Sequence, residues 1–119
     1  MRANDMLASP VFILLLNEVL VATDIAMIIE DLRPDARVVV ARSNENAAED
    51  VQGGRIEVAF VQCDAAQLSM SPLGQRLSRD GSRLIFVGRE QSDVPDGVRV
   101  LPFPFKRADV AALLGRDLP

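Results

Sequence analysis

The sequence predicts an α/β domain in which five short parallel strands are covered by helices on both faces. Two observations carry that expectation. Apolar runs recur at Val11–Leu16, Ala36–Ala41, Val58–Val61, Leu84–Val87 and Val98–Leu101, as strands buried on both faces require. Between them lie segments with helical spacing or helix-boundary residues, and that alternation builds parallel crossover units.

The elements follow in order. Val11–Leu16 is continuously apolar and reads as the first strand. Val19–Leu32 repeats Val21, Ile25, Ile28 and Leu32 at helical spacing, with Pro34 just beyond its end. The combined run lacks the basic start and cleavage site of a secretory signal, and Asn17 and Glu18 interrupt it too early for a membrane span. Ala36–Ala41 is a second, β-branched strand. Ser43 caps an expected short polar helix through about Gln52, closed by Gly53 and Gly54. Val58–Val61 is the third strand. Pro72–Arg79 suits a short helix, with Asp80-Gly81 as its turn. Leu84–Val87 and Val98–Leu101 are the fourth and fifth strands. Arg89–Gly97, between them, holds Pro95 and Gly97 and almost no apolar residues, so the fourth helix is expected to be short or missing. Ala108–Leu114 closes the domain as an amphipathic helix, with Gly115 after it. Residues 1–10 are expected to form an N-terminal extension, 11–115 the domain and 116–119 a tail.

Composition narrows the function. A chain of 119 residues is ample for one independent core. Its 49% hydrophobic and 25% charged content is that of a globular protein without a disorder signature. A net charge of −4 with no basic cluster disfavours nucleic-acid binding. One cysteine and no histidine exclude a disulfide framework, disfavour zinc and fit a cytoplasmic location. Nothing in the sequence supports a conventional enzyme: there is no nucleophile–base pair and no cofactor fingerprint, and Gly53-Gly54 lacks phosphate-loop spacing.

In a sheet of this kind the site lies at the carboxyl ends of the strands. That rule gathers Asn17 and Glu18, then Gln62, Cys63 and Asp64, then Gly88, and finally Pro102 to Phe105. Across these positions the chain resembles the response-regulator receiver domains, the CheY-like family. The resemblance rests on Ile13-Leu14-Leu15-Leu16-Asn17-Glu18 with Leu20-Val21-Ala22, on Leu84-Ile85-Phe86-Val87-Gly88, and on Leu101-Pro102-Phe103-Pro104-Phe105 before the last helix. It spans about Val11 to Leu114 and is closest to short receivers associated with HWE-type histidine kinases. It implies a flavodoxin-like sheet of strand order 2-1-3-4-5.

The family's phosphorylation pocket is degraded here. The acidic pair that holds Mg²⁺ aligns with Asn17 and Glu18, and the phosphate-accepting aspartate with Gln62. The serine or threonine after the fourth strand aligns with Gly88, and the lysine before the proline with Phe103, while Pro104 and Phe105 keep the pattern. An amide forms no acyl phosphate, and Mg²⁺ usually requires more carboxylate than Glu18 alone supplies, which leaves Glu18 a weak candidate ligand. The resemblance also implies a cis bond before Pro104. Phe103 either fills the space of the absent lysine or packs on the closing helix.

Two neighbouring residues have a functional and a bland reading. Asp64 is either a displaced phosphate acceptor or a solvated loop residue. Cys63 is either a redox-sensitive thiol or a small buried side chain, and no basic residue adjoins it to lower its pKa.

The first helix carries the positive signal. Between Val19 and Ile29 only Thr23 and Asp24 are polar, so Leu20, Ala26 and Met27 are expected off the buried stripe, at a protein interface. Receivers dock histidine kinases and phosphotransfer proteins through this helix, which the resemblance extends to Leu20 and Met27, with Phe105 beside them. The expected function is a non-phosphorylated interaction module in two-component signalling. With no output domain after the last helix, its output is expected through binding to a histidine kinase, a phosphotransfer protein, another signalling protein or a second copy. A phospho-acceptor using Asp64 with Glu18 and Mg²⁺, and a small-molecule sensor in the emptied pocket, are the alternatives.

Overall fold

The five apolar runs become strands β1 (Val11–Leu15), β2 (Arg37–Ala41), β3 (Ile56–Val61), β4 (Arg83–Val87) and β5 (Arg99–Leu101). They appear in a computed structural model that describes residues 10–41, 43, 51, 54–89, 94–95 and 97–115. All pairings are parallel and the sheet order is 2-1-3-4-5, the flavodoxin-like arrangement. The described helices are α1 (Val19–Leu32), α2 (Ala65–Ser69), α3 (Pro72–Asp80) and α4 (Arg107–Gly115). Among the described residues no helix is long and apolar enough to cross a membrane.

Alternation along the strands divides the core in two. Val11, Ile13 and Leu15 face one way and pack with Leu68, Leu73 and Leu77 of α2 and α3. Phe12 and Leu14 face the other and pack with Ile25 and Ile29 of α1 and Val110 and Leu114 of α4. Period-two geometry thus turns one apolar run into the inner wall of both layers. Phe12, Phe60 and Phe86 are essentially inaccessible, and burying each such ring contributes about 1.5–3 kcal/mol.

Local chemistry sets the helix boundaries. Pro72 disfavours helical backbone at Ser71, which is extended at φ −92°, ψ 162° and accepts the Gly74 N–H on its Oγ at 3.1 Å. The segment after β3 therefore breaks into α2 and α3, and α2 was not among the expected elements. Gly74 holds the two together: a Cβ there would lie 1.9 Å from the Leu68 carbonyl oxygen.

At the amino ends of the strands, Asp80 Oδ2 accepts the Ile56 N–H and the Arg76 Nε–H, each at 3.0 Å. Arg76 also donates to the carbonyls of Val51 and Gly54, tying α3 to the start of β3. Burial alone would raise the Asp80 pKa. The Ile56 N–H and the Arg76 charge outweigh burial and hold the carboxyl below its ordinary range.

The helix expected from Ser43 through Gln52 falls outside the described residues except for Ser43 and Val51, as do residues 1–9 and 116–119. Between β4 and β5, residues 90–93 and 96 are also outside; Arg89, Val94, Pro95 and Gly97 are non-helical.

Candidate functional site

β1 and β3 are neighbours in register, Leu15 beside Val61, so the residues that follow them meet at the carboxyl edge of the sheet. The Gln62 N–H donates to the Leu15 carbonyl at 3.0 Å, extending the ladder by one step. The Asn17 N–H then donates to Gln62 Oε1 at 2.8 Å, and Asn17 Nδ2 reaches the Gln62 carbonyl at 3.5 Å. Two neutral residues therefore close the point to which the resemblance assigns the acceptor and part of the metal site. The Gln62 side-chain oxygen is occupied by a main-chain donor.

Glu18 does not join that pair. It begins α1 in extended backbone, and its side chain makes no capping hydrogen bond. Instead it lines a groove of about 470 Å³ with Val21, Asp24, Phe103, Pro104 and Phe105.

Asp64 is exposed and lies outside regular structure, as its solvated-loop reading expected, and it is not part of the amide pair. It is the N-cap of α2, its Oδ2 accepting the N–H groups of Ala66 at 3.1 Å and Gln67 at 3.2 Å. Among the described residues no group of three or more His, Cys, Asp or Glu is placed to hold a metal ion.

Gly88 and Phe103 form a second unit. Gly88 follows β4 directly, with φ +77°, and its N–H donates to the Leu101 carbonyl at 2.7 Å. A Cβ on Gly88 would lie 2.7 Å from Phe103 Cε2. The bare backbone at position 88 is therefore what allows the ring to settle there. Phe103 also stacks on Phe105, with centroids 5.9 Å apart and planes 30° apart, and stays 42% exposed. The ring lies over the β4 end, against Gly88 and Phe105. The Phe103–Pro104 bond is cis, as the resemblance implied.

Cys63 is half-buried against the α2–α3 core. Burial pushes its thiol up, and Arg89 opposes that only in part. This is the setting of a quiet thiol rather than a reactive one.

On α1 the buried residues are Ala22, Ile25 and Ile29, while Val21, Ile28 and Leu32 are half-buried. Leu20 and Met27 stand out at 79% and 60% exposure, as expected. Ala26 does not; it packs partly on the core. Val19, 78% exposed beside Leu20, enlarges the patch and was not singled out from sequence, although its place at the head of the helix was a usable signal. Phe105 is half-buried and reaches both the groove and the α1–α4 core. Arg107, at the start of α4, pairs with Asp31 at 2.8 Å and joins the two helices.

The candidate residues thus form three separate groups: the Asn17–Gln62 amides, the Glu18–Phe103–Pro104–Phe105 groove with Gly88 beneath the ring, and the capping Asp64. No protein-family model matches the chain, and no curated protein matches it. Among solved structures it is similar to the anti-anti-sigma factor PhyR from Bartonella quintana, with a TM-score of 0.52 and 20% identity over 92% of this chain. It spans 49% of that protein. At this identity the likeness shows the fold, and the fold is receiver-like.

Proposed function

We propose that this receiver-like domain is a protein-interaction module of two-component signalling that acts without phosphorylation at position 62, and that it binds rather than catalyses. The observation that carries the reading is the Asn17–Gln62 contact: the Gln62 side-chain oxygen accepts the Asn17 main-chain N–H and the Asn17 side chain donates to the Gln62 carbonyl, neutral groups where the resemblance puts carboxylates. The rest of the pocket supports it. Glu18 lines the groove, Phe103 is uncharged at the position aligned with the lysine, and Gly88 offers no hydroxyl. Binding then falls to the exposed apolar surface of α1, at Leu20 and Met27, with Phe105 alongside.

The partner class we propose is a histidine kinase, HWE-type kinases first, a phosphotransfer protein or another signalling protein of the same pathway. The name of the solved relative points the same way, since an anti-anti-sigma factor acts on a protein. A free thiol and no disulfide suit the cytoplasm.

An amide NMR titration with Mg²⁺ and then beryllofluoride, an acyl-phosphate mimic, tests this. No shift at Glu18, Gln62 to Asp64 or Gly88 supports a non-phosphorylated module. Saturable shifts abolished by Asp64→Asn would overturn it in favour of Asp64 as acceptor.

A further inference from the structure

The outward face of α1 carries Leu20, Asp24, Met27 and Asp31, spaced four, three and four residues apart. That is the spacing of a helix-packing seam. All four are exposed, and they alternate apolar and acidic. A helix laid along this seam meets carboxylates at every second contact. Beside it runs a groove of about 330 Å³ floored by Met27, Ile28 and Phe105 and walled by Asp24, Asp31 and Arg107. Asp31 is paired with Arg107, whereas Asp24 has no ion-pair partner among the described residues.

From this geometry we infer that the seam selects a cationic amphipathic helix of a different protein and rejects a second copy of this chain. The inference rests on the docking role proposed above for α1. The argument against self-pairing holds in both orientations. Parallel α1 helices would set Asp24 against Asp24, and antiparallel ones would set each carboxylate against Leu20 or Met27. Either arrangement strips water from Asp24 while the Arg107 of each copy stays engaged with its own Asp31, a large penalty. A partner helix with leucines opposite Leu20 and Met27 and a lysine or arginine opposite Asp24 meets both needs. The long cationic stem lies on Met27 and Phe105 while its charge reaches Asp24. This is helix-in-groove recognition with a charge filter.

Fluorescence anisotropy with two labelled helical peptides and the intact chain decides it. One peptide carries leucine and lysine at the seam positions; the other has glutamate in place of lysine. The lysine peptide is expected to bind in a salt-sensitive manner and to weaken about tenfold on Asp24→Lys, less on Asp24→Asn. The glutamate peptide is expected to bind only the Asp24→Lys variant. Light scattering is expected to report a monomer. If both peptides bind equally and Leu20→Glu abolishes both, docking through α1 stands and the charge filter falls. If neither peptide binds, or neither responds to Leu20→Glu and Met27→Glu, docking through α1 falls as well. A dimer that Leu20→Glu dissociates overturns the rejection of self.

Discussion

Gly88→Ala tests whether the place of the Phe103 ring over the β4 end is part of the fold or an incidental resting place. The substitution has two separable costs. Gly88 sits at φ +77°, where a side chain loses about 1–2 kcal/mol relative to glycine. The new methyl would also lie 2.7 Å from Phe103 Cε2 and 3.0 Å from Cδ2, so the ring must move by about an ångström or leave. Leaving forfeits the stack on Phe105, about 0.5–1.5 kcal/mol. The single variant is expected to lose about 2–3 kcal/mol. In a Phe103→Ala background no ring is displaced, and only the backbone cost of about 1–2 kcal/mol remains. The double-mutant cycle should therefore return a coupling of about 1 kcal/mol. With no tryptophan or tyrosine in the chain, far-UV circular dichroism in urea is the assay. Additive losses, with no coupling beyond about 0.3 kcal/mol, would refute the contact between Gly88 and Phe103.

Three further predictions concern the residues around the site and the opposite edge of the sheet. Asp80 has a folded pKa below its unfolded one, so the stability it contributes is present above the ordinary aspartate pKa of about 3.9 and is lost as pH falls through the folded value. Asp80→Asn should cost about 1–2 kcal/mol near neutrality and flatten the acid limb of the urea midpoint against pH; unchanged limbs would contradict the assignment. Asp64→Ala should cost about 1 kcal/mol as a lost helix cap, with Asp64→Asn nearly neutral because the amide oxygen still accepts. Equal losses in the two variants would show that the carboxylate has a role other than capping. Cys63, its thiol raised by burial, should react with a disulfide reagent at pH 8 far more slowly in the native protein than in urea, and equal rates would contradict that environment.

What the sequence revealed followed the range of its forces. The bounds of α1 were readable at Val19 and Leu32 because its apolar spacing and Pro34 are local signals. The strand order followed from the resemblance and from short crossover connections. α2 was not legible, since the five residues Ala65–Ser69 are too few for periodicity and their cap, Asp64, resembled a site residue. The start of β3 was missed for another reason. Ile56 and Glu57 precede the apolar run Val58–Val61, and the partners that hold Glu57 in the strand, Arg33 and Arg83 at 2.9 and 3.7 Å, are distant in sequence. The site divides in the same way. Sequence marked every position at the strand ends, but not that Asn17 and Gln62 bond to each other across a separation of 45 residues. Nor could it show that Glu18 lines a groove with Phe103.

Under the proposed reading, the residues that the resemblance aligns with the receiver pocket fit one another chemically. An aspartate at position 62 would bring a charge that needs a cation beside it, which Mg²⁺ and a lysine supply in receivers. Once Gln62 is neutral and its oxygen is taken by the Asn17 N–H, a lysine at 103 would have no phosphoryl group to meet. A phenylalanine there is instead favoured by its stack on Phe105, provided position 88 has no Cβ. On that reading Gln62→Asp alone is expected to give no Mg²⁺-dependent labelling by a small phosphodonor, because Asn17 adds no second carboxylate and Phe103 no charge. Under the docking role proposed for α1, Glu18 and Asp24, which line the groove beside it with Phe103 and Phe105, set the charge that a partner meets.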